Sequence, residues 1–222
     1  MVEANRRLLL ALLAGLYLTL GNDGGKLRRS AWRYLLSMLV PMEAAARRLV
    51  SIVARDMVAA LPVRRGTPKT VRKARPEKPD AERTPPFALA DRLRDPLARF
   101  RRRCPARLAP RISFLGESVP GRHPPEPSDG DLIEAAALRS RLDALRGALD
   151  DLPGQARRLA RWTARQRQRR EKGLHSRTSP IRSGRPPGHR ARGRRAVDRI
   201  LADCHGLALD CRAMLARERY GR

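Results

Sequence analysis

The stretch DLIEAAALRSRLDALRGALDDL, residues 131–152, decides how this chain is read. Leu138, Leu142, Leu145, Leu149 and Leu152 recur at steps of four, three, four and three, the spacing of a helix that buries one seam. Asp131 and Glu134 have capping-box spacing, which places the helix start at Asp131, although the box prefers Ser or Thr at its first position. Ala135, Ala156 and Leu159 extend the seam on both sides. Pro153 and Gly154 interrupt it. The chain either kinks there with the seam continuing, or reverses into an αα-hairpin.

A second seam lies in the last segment. From Ala196 to Arg217 the spacing predicts a helix carrying Val197, Ile200, Cys204, Leu207, Cys211 and Met214 on one side. Two seams in a chain poor in core material should find each other or copies of themselves. The expectation is a mainly α fold: short helical segments in a small bundle or hairpin, or a homo-oligomer through the seams.

The N-terminal segment, 1–61, reads as apolar and amphipathic helices. Leu8–Leu20 is Leu-rich and follows Arg6 and Arg7. As a helix it spans roughly 20 Å, short of the ~30 Å hydrocarbon core of a bilayer. A secretory signal is the rival reading, without an A-x-A-like cleavage site. A helix from Trp32 to Val40 ends or kinks at Pro41, which can open a second helix. In that second helix Met42, Ala46, Leu49, Val50, Val53 and Met57 share one face, and Arg47, Arg48, Ser51 and Arg55 lie opposite. Such a face suits a helical hairpin or a membrane surface.

Residues 62–130 read as a largely disordered basic linker, rich in proline, with an apolar island at 87–100. Residues 131–172 form the Leu-seam helix or hairpin with an Arg-rich end. Residues 173–195 form a basic Gly/Pro arm, and 196–222 the C-terminal helix.

The charge is uneven. Of 222 residues, 49 are Lys or Arg and 22 Asp or Glu, a formal +27. Residues 156–195 carry 15 of those cations and a single acid, a net +14. The cations are 44 Arg and 5 Lys. Base composition can select Arg over Lys, but it does not gather cations in one segment. With aromatics at 4% and 18 prolines, a large single-core enzyme is excluded. Attraction to a polyanion follows: nucleic acid or an anionic membrane surface, with no small-molecule substrate evident.

The candidate nucleic-acid-binding residues are Arg157, Arg158, Arg161, Arg165, Arg169 and Arg170 on the helical tract, and Arg182, Arg185, Arg190, Arg192, Arg194 and Arg195 in the arm. Ser183-Gly184-Arg185-Pro186 is a near miss to the minor-groove hook Arg-Gly-Arg-Pro, because Ser183 stands where the first Arg belongs.

No catalytic motif is present. Gly21–Lys26 lacks the Walker glycine at Leu20 and the Ser or Thr at Leu27, so it reads as a glycine turn. Cys204 and Cys211 are about 10.5 Å apart along one helix, too far for a shared zinc or a disulfide. The expectation is no enzyme, no cofactor and no metal. Three cysteines make no disulfide framework, which fits the cytoplasm, with the inner face of the membrane as a peripheral alternative.

Four segments carry a resemblance. LPGQARRLARW at 152–162, GRPPGH at 184–189, VDRILADCH at 197–205 and RLVSIVAR at 48–55 resemble segments of a family of uncharacterised basic proteobacterial proteins with no assigned function. The resemblance implies no site, fold or ligand. The residues themselves support a non-enzymatic helical protein that binds nucleic acid nonspecifically. The alternatives are a peripheral membrane protein and a small protein-interaction scaffold.

Overall fold

A computed structural model describes residues 1–21, 25–55, 57, 85–91, 132–175, 179–182, 184–190 and 192–220, with side chains up to 214. Most of the 62–130 linker, and all of the apolar island after Asp91, lie outside the described residues. The elements run α1 (Val2–Leu20), β1 (Lys26–Arg28), α2 (Arg29–Val53), β2 (Leu132–Glu134), α3 (Ala136–Asp150), α4 (Leu152–Glu171) and α5 (Ala196–Tyr220). The fold is mainly α.

Helix α2 is the axis of the molecule. All four other helices pack on it. From Leu35 to Val50 every residue except Ser37 is buried, and the run Ala44-Ala45-Ala46 presents small side chains where neighbours approach. The two-faced helix expected from Met42 onward is therefore enclosed on all sides. Arg47 and Arg48, expected on a solvated face, are 4% and 0% exposed. Pro41 neither ends nor restarts a helix, since α2 runs continuously through it.

Both Leu seams bury against this axis within the one chain. Leu138, Leu142, Leu145, Leu149, Leu152 and Leu159 join the core, as do Val197, Ile200 and Cys204. The second seam is shorter than its spacing suggests. Leu207 and Cys211 are half-buried, Met214 is exposed, and Leu201 and Ala208 are buried instead. Helix α2 ends at Val53, and Met214 meets the guanidinium of Arg55 just beyond it.

The helix breaks at Asp151 and restarts at Leu152, with Pro153 and Gly154 in the first turn of α4, and the seam continues across the break. Asp151 caps α4, its carboxylate accepting the Gly154 N–H at 2.9 Å. A Cβ at Gly154 would sit 1.9 Å from Asp151 Oδ2, so a larger residue there would displace the capping carboxylate.

Helix α3 begins at Ala136, not at Asp131, which lies outside the described residues. Leu132–Glu134 instead pairs antiparallel with Lys26–Arg28, placing Lys26 opposite Glu134 and Leu27 opposite Ile133. Backbone groups that would have opened a helix are satisfied in this ladder, continued by the Ala135 N–H to Gly25 carbonyl bond of 3.1 Å. A ladder this short is marginal alone; Leu27 packs it against the core.

Helix α1 turns Leu9, Leu13, Leu16 and Leu20 inward, onto α2, α3 and α5. Leu8 and Leu18 remain on its outer side, 52% and 85% exposed.

Candidate nucleic-acid interface

Helix α4 divides into an anchored half and a solvated half. Leu152, Ala156, Leu159 and Ala160 bury its first three turns. Arg157, Arg158, Arg161 and Arg165 emerge from that anchored part, and every residue from Arg167 to Lys172 is exposed. The side chains of Arg157, Arg161, Arg165, Arg167 and Arg170 make no hydrogen bond or ion pair among the described residues. Arg167 was not among the residues singled out from sequence.

The helix ends at Glu171, two residues before Gly173, where the basic arm begins. Gly173 adopts φ +67, its N–H reaches the Arg170 carbonyl, and the Leu174 N–H reaches that of Arg169, both at 2.9 Å. Arg169 bends back to the His175 carbonyl at 3.2 Å, so its guanidinium is partly engaged.

A groove of about 500 Å³ lies beside Arg158, Arg161 and Arg165. Arg158, Arg161, Trp162 and Arg165 form one wall, and Ala88, Leu89, Ala90 and Pro180 the other. The second wall was not legible from sequence, since it comes from the supposed linker and the supposed arm. Three contacts hold it. Arg158 donates to the Phe87 carbonyl at 2.9 Å, Arg47 donates to that of Ala88 at 2.8 Å, and the Asp91 N–H reaches that of Pro180 at 2.8 Å. Phe87 is buried, with the Arg47 guanidinium 5.5 Å from its ring centre.

Within 173–195 the described residues wind across α2. Ile181 and Pro186 are buried, and Arg182 donates its backbone N–H to Asp91 at 3.1 Å. Gly188, at φ +80, lies so close to Pro41 that a Cβ would come within 2.7 Å of the proline nitrogen. Arg182, Arg185, Arg190, Arg192 and Arg194 point outward and are exposed. Ser183 of the near-miss hook lies outside the described residues.

Arg195 differs from these neighbours. Its guanidinium binds Asp198 at 2.9 and 3.0 Å and Ser37 Oγ at 3.0 Å. The Asp198 carboxylate also accepts the Arg195 N–H at the start of α5, closing a capping arrangement. The Arg195 hydrogen bonds hold the Asp198 carboxyl below the usual carboxylate range. Arg195 is an internal clasp, and its guanidinium is not presented to an external anion.

The supporting network centres on Asp91, 1% exposed. It faces Arg48 at 3.2 Å and Arg47 at 3.5 Å. Arg47 also reaches Glu43 at 3.1 Å, and Arg141 meets the same Glu43 at 2.9 Å. Arg48 Nε donates to His205 Nδ1 at 3.1 Å, which requires a neutral imidazole. Burial, followed by the Arg48 charge, pushes the His205 pKa down. The Arg48 guanidinium is itself shifted down by burial.

Cys204 is fully buried, and burial pushes its thiol up to about 12, so it is protonated and unreactive at neutral pH. Among the described residues no group of three or more His, Cys, Asp or Glu side chains could hold a metal ion. No helix among them is long and apolar enough to cross a membrane. No protein family, curated protein or solved structure matches the chain.

Proposed function

We propose that this chain is a non-enzymatic helical protein that binds a polyanion, with nucleic acid as the partner its chemistry favours. The observation that carries the reading is the set of exposed arginines around α4. Their side chains, on Arg157, Arg161, Arg165, Arg167 and Arg170, project from one helix with no hydrogen bond or ion pair among the described residues. Guanidinium groups suit phosphate oxygens, and the helix fixes the backbone that carries them. Arg182, Arg185, Arg190, Arg192 and Arg194 add exposed cations on a stretch anchored to α2, and the binding set omits Arg195. Leu138, Leu142, Leu145, Leu149, Val197, Ile200 and Cys204 join one core within the single chain, which supports a unit that folds without a second copy.

A second reading has its own observation. Leu8 and Leu18 are exposed on a helix without charge between Leu8 and Leu20, which favours peripheral attachment to an anionic membrane. The face of α2 first assigned to that role is enclosed by protein, so α1 alone would serve. Fractionation of the tagged protein separates the two. Nucleic-acid association predicts release by nuclease and by salt; retention through both, with release by detergent, contradicts it and supports the membrane.

A further inference from the structure

We propose that the groove between α4 and residues 88–90 is a base-stacking site that takes one nucleotide unit of a single-stranded nucleic acid. The proposal rests on the polyanion reading above and goes beyond it by naming the strand form and the stacking residue. Trp162 is half-buried and lines the groove, facing a wall of Ala88, Leu89, Ala90 and Pro180 that carries no charged side chain. Arg161 and Arg165 stand at its edge, one helical turn apart, about 6 Å along the axis. An indole and an apolar wall beside two guanidinium groups that have no partner among the described residues match a nucleotide, with its flat apolar base and its anionic phosphate.

The site is built before any ligand arrives. Arg158 is engaged by the Phe87 carbonyl and by Gln155 at 3.1 Å, so it braces the wall and leaves Arg161 and Arg165 to the ligand. Arg47 braces the same wall through the Ala88 carbonyl, and the Asp91 N–H ties it to the Pro180 carbonyl. A paired base keeps both faces inside its stack, so a duplex can offer phosphates to Arg161 and Arg165 but no base to Trp162.

The chain has two tryptophans, so Trp32→Phe leaves Trp162 as the single indole reporter. That full-length variant is titrated with an unstructured single-stranded oligonucleotide, the matching duplex, and a free nucleoside monophosphate. The single strand is expected to quench Trp162 emission and to bind at least ten-fold more tightly than the monophosphate, while the duplex binds without quenching. Trp162→Leu, which keeps an apolar side chain against the core, should weaken single-strand binding about ten-fold and leave duplex binding unchanged. Arg161→Glu with Arg165→Glu, both surface changes, should weaken both. Single strand and duplex binding alike, with emission unchanged, would overturn the stacking site and leave the polyanion reading standing. Equal affinity for the free monophosphate would overturn the strand assignment. Binding to none of the three at low salt would remove the polyanion reading itself.

Discussion

The guanidinium of Arg195 donates to the carbonyl oxygen of Ser37 at 3.3 Å, the acceptor that Pro41 leaves without its helical N–H. A proline inside a buried helix removes one i→i−4 hydrogen bond, and the stranded acceptor here is Ser37, four residues earlier. The same guanidinium reaches Ser37 Oγ and both Asp198 oxygens, so the start of α5 is tied to the weakest point of α2. The arrangement explains how an otherwise helix-breaking residue sits within the core.

Arg195→Ala should therefore destabilise the protein by about 1–3 kcal/mol, the range for leaving a hydrogen-bond partner unsatisfied. In a Pro41→Ala background the restored N–H serves Ser37 internally, and the cost should shrink. A double-mutant cycle by urea unfolding should show at least ~0.5 kcal/mol of coupling. Strict additivity would show that Arg195 does not compensate for Pro41.

Asp91 lies opposite two consecutive arginines in the core, and removing it leaves both charges buried. Asp91→Ala should cost about 3–5 kcal/mol, a large fraction of the stability of a typical domain. It should also free the segment that walls the groove, raising amide exchange at residues 87–90. A loss within ~0.5 kcal/mol would mean that the ion pairs contribute little in solution.

This network also marks where the sequence stops being readable. The Leu seam, the helix end just before Gly173 and the second seam as far as Cys204 follow from local spacing, because each obeys helical periodicity and capping chemistry. Arg47 and Arg48 look solvated for an equally local reason: nothing within α2 neutralises both. Their partner lies more than forty residues away, beside a phenylalanine in a proline-rich stretch. Arg195 resembles its exposed neighbours in composition, and only the approach of Ser37 and Asp198 separates it from them. The β1–β2 ladder escaped for a similar reason, since three residues of strand pairing carry too little pattern to compete with a capping signal.

His205 is held neutral by burial and by the Arg48 N–H that it accepts. A histidine whose folded pKa is depressed contributes stability that is complete above its unfolded value of ~6.5 and is lost as pH falls below it. Unfolding midpoints should decline between pH 7 and 5, and His205→Gln should flatten that decline. Asp198, also depressed in the fold, adds a further loss only below the usual carboxylate range. An identical pH profile in wild type and His205→Gln would contradict the assignment.

Leu145 is fully buried among the helices of a single chain. Leu145→Ala should cost about 2–5 kcal/mol in unfolding free energy, with no change of oligomeric size in native light scattering. Dissociation of a larger species would place the seam between copies instead.

The central claim, that exposed arginines on α4 bind nucleic-acid phosphates, is tested most directly by the salt dependence of oligonucleotide binding. Deleting residues 173–195 would also remove Arg195 and the Gly188 contact with Pro41, so the informative variants are surface substitutions. Binding should weaken linearly in a plot of log K against log salt, and each of Arg161→Gln and Arg165→Gln should reduce the slope by about one. Slopes unchanged by both substitutions, at unchanged stability, would contradict the account.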